Sequence, residues 1–275
     1  DRHGQIPGNR EAWVSGAYEG WVARYGPPEE AARRIVERPE RGLEPLLAHF
    51  GDVGGRSIVN LMGSSGTKAV SLAILGAEVT VVDASPSNAR YARELAEQAN
   101  VSIEYVVGDV LAPPEKLTTR GFDIAFAELG IVHYFTDLAP FVASVRELLS
   151  AGGLFVLRDF HPVSTKLITY RGSTAKVRKY KVTGDYFDDT LEEHPVPFAK
   201  HLETSSMDDG RPSTPTVLWR RWTLGEIVTA VGSGGLHIHA LDEEPNRSSD
   251  VFDRGIPKTF TIAARTPTYA GTDVR

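Results

Sequence analysis

Apolar positions recur at two different periods along this chain. Between Arg56 and Asp159, short apolar runs alternate with segments whose apolar residues fall three and four apart. Ser57-Ile58-Val59-Asn60-Leu61-Met62, Glu78 to Val82, Ile103 to Val107, Phe122 to Ala127 and Leu154 to Leu157 read as strands. Lys68 to Leu75, the stretch after Pro86 with Ala89, Ala92, Leu95, Ala96 and Ala99, and Pro140 to Leu149 read as helices. Strands that are apolar on both faces and separated by helices predict a parallel sheet covered on both sides, an α/β Rossmann-like, doubly wound fold. The punctuation agrees. Gly76 stands at a helix end, Ser85-Pro86 reads as an N-cap followed by the first helical position, and Gly152-Gly153 reads as a helix stop.

Outside this core the pattern changes. Glu11 to Tyr25 carries Trp13, Val14, Ala17, Tyr18, Trp21 and Tyr25 at helical spacing, closed by Pro27-Pro28. Glu29 to Glu37 and Pro45 to Phe50 predict two more helices. Residues 163–216 break the rhythm and are rich in Lys, Asp, Tyr and Pro. Trp222 to Val231 is helical again with Thr223 as cap, and His237 to Leu241 and Lys258 to Ala264 read as late strands. The expected organisation is a helical cap over 1–50, a core over 51–162, a substrate lid over 163–216, the end of the core sheet over 217–266 and a tail over 267–275.

Composition acts by exclusion. The 275 residues contain no cysteine, which removes disulfides, thiolate metal sites and cysteine nucleophiles. That permits a reducing cytoplasm, the expected location. A net charge of −6 lacks the basic field that nucleic-acid binding needs. No stretch approaches the roughly 20 apolar residues of a membrane span. His194, His201, His237 and His239 show no metal-ligand spacing, so no metal is expected.

In open parallel sheets, ligands bind at the carboxyl ends of the strands. Here those ends are Met62-Gly63-Ser64-Ser65-Gly66, Asp83-Ala84, Gly108-Asp109-Val110 and Glu128-Leu129-Gly130. The first is a turn that admits a ligand close to the backbone, or simply a tight strand-to-helix turn. Asp83, 17 residues beyond Gly66, can accept from both hydroxyls of a ribose or cap the helix at Pro86. Asp109 can meet an adenine amino group or terminate a strand. His133 and His161 lie at strand tips and can each act as a base or make a structural hydrogen bond. Asp159 stands beside His161. Tyr170, Tyr180, Tyr186, Phe187, Trp219 and Trp222 can line an apolar pocket or pack in the core. Lys176, Arg178, Lys179 and Lys181 read as a solvated basic face.

Taken together, Ile58 to Gly66, Asp83, Gly108-Asp109-Val110 and Phe122 to Tyr134 resemble the successive motifs of class I S-adenosylmethionine-dependent methyltransferases. The resemblance covers roughly residues 50–160 and the late strand pair. It implies a mostly parallel seven-stranded sheet with an antiparallel last strand, a place that Lys258 to Ala264 fits. It departs in the first loop, where Asn60 replaces an acidic residue and Met62 and Ser64 stand at glycine positions. It implies S-adenosylmethionine as cofactor, its methionine end near Gly63 and Ser64, its ribose on Asp83 and its adenine near Asp109 and Val110, with Asn60, Ala84 and Asn88 also among the cofactor-binding residues. Glu128 and Leu129 would lie beneath the methyl group, and Tyr18 and Tyr25 on the first helix would reach the cofactor. Glu128 to Phe135 and Asp159 to Ser164 look like the small-molecule, natural-product subgroup, including terpenoid C-methyltransferases of the teleocidin type that act on prenylated indoles. By their place at strand tips, His161, His133 and Asp159 are the catalytic candidates. The likeness also implies a homo-oligomer, with exchange of the first helix across Pro27-Pro28. Two other readings stay open: a nicotinamide-dependent oxidoreductase, against which the lack of Gly-x-Gly-x-x-Gly speaks, and a binding protein without catalysis.

Overall fold

The apolar runs fold as strands and the amphipathic segments as helices, and together they build one seven-stranded sheet. The computed structural model describes residues 8, 9, 13, 16–170, 180–201, 207–208, 211–212, 215–245 and 255–268. In chain order the core elements are β1 (Ser57–Leu61), α4 (Thr67–Ile74), β2 (Glu78–Asp83), α5 (Pro86–Gln98), β3 (Glu104–Val107), β4 (Phe122–Glu128), α6 (Ala139–Leu148), β5 (Leu149–Phe160), α7 (Leu224–Ser233), β6 (His237–Pro245) and β7 (Pro257–Arg265). Three helices precede them: α1 (Ala17–Tyr25), α2 (Pro28–Glu37) and α3 (Glu44–Phe50). The sheet runs β6-β7-β5-β4-β1-β2-β3, and β7 is antiparallel to both neighbours while the other pairs are parallel. This is the sheet the resemblance implies.

Three apolar clusters hold the layers together. Val59, Phe122, Phe141, Val145, Phe155 and Ile227 pack α6 and α7 on one face. Ile58, Leu46, Phe50, Leu72, Val81 and Phe126 pack α3 and α4 on the other. The third, with Trp21, Ala32, Tyr91, Leu95 and Phe198, seats α1 and α2 on α5. Helix starts follow their sequence signals. Ser85 Oγ accepts from Asn88 N with Pro86 in the first turn, and Thr223 and Glu226 form a reciprocal capping box at α7.

Three expectations need correction. The first helix does not run from Glu11. It starts at Ala17 behind Gly16, whose φ of 82° belongs to the left-handed region and breaks a continuous helix, and Trp13 lies before it in a turn. Residues 10–12, 14 and 15 lie outside the described part. Gly152-Gly153 does not end α6. These glycines sit inside β5, where a Cβ on Gly153 would meet the carbonyls of Ser150 and Phe122 at 2.9 and 3.0 Å. Finally, 163–216 is not wholly irregular. Among the described residues it holds a helical turn (Val163–Leu167) and two short antiparallel pairs, and its Leu191–Pro195 pairs antiparallel with Thr216–Arg220 at and beyond its end.

Candidate active site

The loop leaving β1 shows why this turn tolerates little. Met62 and Ser64 both take φ of 52°, and Gly66 takes 72°. Left-handed backbone costs a non-glycine residue about 1–2 kcal/mol, so both departures from glycine sit where the backbone favours glycine. Gly63 is needed for space instead, since a Cβ there would lie 2.5 Å from Asn60 Oδ1 and 2.7 Å from Val81 Cγ1. We expect Ser64→Gly to stabilise the protein by about 0.5–1 kcal/mol and raise its melting temperature by about 1–4 °C. An unchanged or lower value in thermal unfolding would show that the serine conformation is not strained. The side chain of Asn60 is buried behind this loop, and its Oδ1 has no hydrogen-bond partner.

Asp83 closes the loop from the next strand. Its Oδ2 accepts from Ser64 N at 3.0 Å, and its Oδ1 accepts from Ser85 N at 2.9 Å and Asn88 Nδ2 at 3.1 Å. A carboxylate offers about four acceptor positions, so the chain occupies three and leaves one on Oδ2. Burial pushes the carboxyl up from its ordinary pKa, against the pull of the Ser85, Asn88 and Ser64 donors.

These groups open onto a cavity of about 580 Å³. Tyr25, Asn60, Gly63, Ser64, Asp83, Ala84, Asn88, Asp109, Val110, Glu128, Leu129 and His133 all line it, so most of the expected residues do converge. Their states differ from expectation in places. Asp109 Oδ1 accepts from Leu111 N at 2.8 Å, shaping its own turn. Glu128 is buried between two cations, with Lys68 Nζ at 3.1 Å from Oε2 and Arg158 Nη1 at 3.1 Å from Oε1. Leu129 has φ of 55°, a third strained residue at the cavity rim.

Rings make up much of the cavity wall. Trp13, Trp21, Tyr25, Tyr134, Phe160 and Trp219 line it, and of these only Tyr25 was among the residues that sequence reasoning assigned to the cofactor. The His133 ring packs between Tyr134 and Trp219, with centroids 4.3 Å from each. Its Nε2 is buried without a partner, and burial depresses the imidazole pKa to about 3, so His133 is neutral.

Three expected site residues stand elsewhere. His161 is buried, donates from Nε2 to Glu243 Oε1 at 2.6 Å and accepts from Val163 N at Nδ1, 3.1 Å away, so both ring nitrogens are occupied and it does not line the cavity. Asp159 does not line it either. Its carboxylate accepts from the N–H groups of Gly130, Ile131, Val132 and Phe160 at 2.6–3.1 Å and so fixes the loop that carries His133. Tyr18 points at α5, where its hydroxyl donates to Glu94 Oε2 and its ring packs on Tyr91. Of the aromatic lid residues, Trp219 reaches the cavity, Trp222 is buried with Nε1 donating to Val132 O at 2.9 Å, and Phe187 is 82% exposed. Lys176, Arg178 and Lys179 and the side chains of Tyr170, Tyr180 and Lys181 lie outside the described part. Among the described residues there is no cluster of three His, Cys, Asp or Glu side chains suited to a metal, and no helix long and apolar enough to cross a membrane.

Comparison with known proteins agrees with this geometry. Residues 58–153 match the methyltransferase domain family. A ubiquinone biosynthesis O-methyltransferase from Methylobacterium sp. (strain 4-46) is 33% identical over 129 residues, which is 46% of this chain and 47% of that protein. Its counterpart from Methylocella silvestris is 34% identical over 121 residues, 44% of this chain and 41% of that protein. The chain thus spans about half the length of the curated relatives it matches. Among solved structures, a putative S-adenosylmethionine dependent methyltransferase from Listeria monocytogenes superposes with a TM-score of 0.60 at 17% identity, covering 82% of this chain and 97% of that one. One from Mesorhizobium loti gives 0.59 at 23% identity, covering 84% and 99%. Residues 58–153 therefore match a methyltransferase domain, and the fold is that of the S-adenosylmethionine dependent methyltransferase structures it superposes on.

Proposed function

We propose that the chain binds S-adenosylmethionine in the 580 Å³ cavity and transfers its methyl group to a hydroxyl of a small, largely apolar acceptor held against these rings. The observation that carries the reading is the pairing of two acceptors on one cavity wall. Asn60 Oδ1 is buried and has no donor in the chain, and a cationic ammonium is such a donor. Asp83 keeps one acceptor position for a sugar hydroxyl. Asp109 and Val110 flank the place for the adenine, and Gly63 lets the backbone approach closely.

When bound, the cofactor supplies an electrophilic methyl on a positive sulfonium. What the chain adds is alignment and exclusion of water. His133 Nε2, neutral and unpartnered, accepts a hydrogen bond from the hydroxyl and aligns it, and the hydroxyl proton passes to solvent as the oxygen gains its methyl. Acceptance on oxygen follows the named activity of the relatives, and ubiquinone precursors are one such substrate class. The 163–216 segment serves as substrate lid, contributing Pro197 to the cavity wall, and Trp219 follows it. A second reading, methylation of a carbon–carbon double bond on a prenylated indole or terpenoid, draws on the same rings, since each aromatic face stabilises a cation by about 0.5–2 kcal/mol. The position of an isotopically labelled methyl in the product distinguishes oxygen from carbon.

Calorimetry tests the cofactor assignment. The wild-type chain is expected to bind S-adenosylhomocysteine and not NAD⁺. Asn60→Leu is expected to weaken binding of S-adenosylhomocysteine about tenfold, while leaving the melting temperature equal or higher, because an unsatisfied buried acceptor is removed. Binding of NAD⁺ instead, or unchanged affinity in the variant, would contradict this placement.

A further inference from the structure

We propose that Trp21 and Asn88 are positioning residues for Asp83, so that docking of α1 and capture of the cofactor's sugar form one coupled event. The proposal rests on the reading that Asp83 meets the ribose. Trp21 Nε1 donates to Asn88 Oδ1 at 2.7 Å, and Asn88 Nδ2 donates to Asp83 Oδ1 at 3.1 Å. The polarity of this relay is forced. An indole N–H only donates and a carboxylate only accepts, so the amide between them has one workable orientation. All three side chains are buried, where an amide that loses one partner keeps an unsatisfied group at a cost of about 1–3 kcal/mol.

A second link joins the same two surfaces. Ser85 Oγ donates to the carbonyl of Trp13 at 2.7 Å, and Ser85 N donates to Asp83 Oδ1 at 2.9 Å. The N-terminal segment therefore reaches Asp83 by two routes, through the Trp21 side chain and Asn88, and through the Trp13 backbone and Ser85. Both donors on Oδ1 belong to these routes, while Oδ2 has a single donor from the β1 loop. The relay holds the carboxylate so that its open position stays on Oδ2.

The packing of Trp21 is separable from its hydrogen bond. Its ring stacks on Trp13 and Tyr25, with centroids 6.4 and 5.9 Å away, and phenylalanine retains a ring there while losing the N–H. Coupling between sites is reciprocal. If a docked α1 orients Asp83 for the sugar, a ligand on Asp83 must in turn stabilise the docked helix.

The test measures S-adenosylhomocysteine affinity by calorimetry and amide hydrogen exchange over residues 17–25, in wild type, Trp21→Phe, Asn88→Leu and the double variant. Trp21→Phe is expected to bind about 5–10-fold more weakly, the worth of one net hydrogen bond. Asn88→Leu is expected to lose more, and the double variant to bind within about twofold of Asn88→Leu alone, because the two side chains act in series. The ligand is expected to slow exchange in α1 in the wild type, and less so in Trp21→Phe. Equal affinity in wild type and both variants, even with lowered melting temperatures, would assign these residues to packing alone and overturn the proposal. So would losses that multiply in the double variant. A wild-type chain that bound no S-adenosylhomocysteine would instead remove the ribose reading on which the proposal stands.

Discussion

Asp159→Ala is expected to lower the melting temperature by about 10 °C and to abolish most turnover, although Asp159 touches no part of the cavity. Oδ1 accepts from Gly130 N at 2.6 Å and Phe160 N at 2.7 Å, and Oδ2 accepts from Ile131 N at 2.9 Å and Val132 N at 3.1 Å. Truncation leaves four backbone donors without this acceptor, two of them on the residues just before His133. Each buried donor left unmade costs about 1–3 kcal/mol, partly recovered by water. The loop also starts at Leu129 in left-handed backbone, and the anchored N–H groups that follow help to hold it there. A melting temperature within about 2 °C of wild type in differential scanning calorimetry would mean that the loop holds itself.

His133→Phe is expected to reduce turnover by about tenfold, the worth of one hydrogen bond that aligns the acceptor hydroxyl, with little change in S-adenosylhomocysteine affinity. Phenylalanine fills a similar volume between Tyr134 and Trp219, so the ring stack is kept. The same variant has a second signature. The imidazole titrates near 3 in the folded chain and near 6.5 when unfolded. Between those values the unfolded state takes up a proton that the folded state refuses, so His133 makes the wild type lose stability as pH falls from 6.5 toward 3. Above pH 6.5 it has no such effect. His133→Phe should therefore show a shallower acid loss than wild type, with the two curves parallel at neutral pH. Denaturant unfolding at pH 7, 5 and 4 checks this. Equal acid slopes would mean that the imidazole is not shielded, and full turnover would mean that it does not hold the acceptor hydroxyl.

Local chemistry explains which parts of the site the sequence displayed. The apolar runs, Ser85-Pro86 and Thr223 act within a few residues of themselves, so strands and caps could be read directly. Asp83 was legible because a strand tip fixes where its side chain starts. Its contacts with Ser85 and Asn88 follow the cap reading, whereas the one with Ser64 had no signal, because Ser64 lies 19 residues away on another loop. The link from Trp21 to Asn88 crosses 67 residues and has no sequence signature at all.

The misplaced candidates have equally physical causes. Asp159 and His161 look like an acid–base pair at a strand end, but side chains alternate along a strand. Both leave the sheet on the side opposite Phe160, and it is Phe160 that lines the cavity. Tyr18 sits about 10 Å along the α1 axis from Tyr25, at a rise of about 1.5 Å per residue, which places it over α5 and Glu94 instead. Met62 and Ser64 looked like losses of the glycine turn. The backbone keeps the left-handed turn without the glycines, at a conformational cost that the Ser64→Gly variant measures.

A crystal structure of the chain with S-adenosylhomocysteine tests the central claim most directly. The account predicts a sugar hydroxyl within hydrogen-bonding distance of Asp83 Oδ2, the amino group at the Asn60 side of the loop, and the sulfur facing the rings beside His133. A ligand bound away from the tips of β1 and β2, or an Asp83 that makes no contact with the sugar, would contradict it.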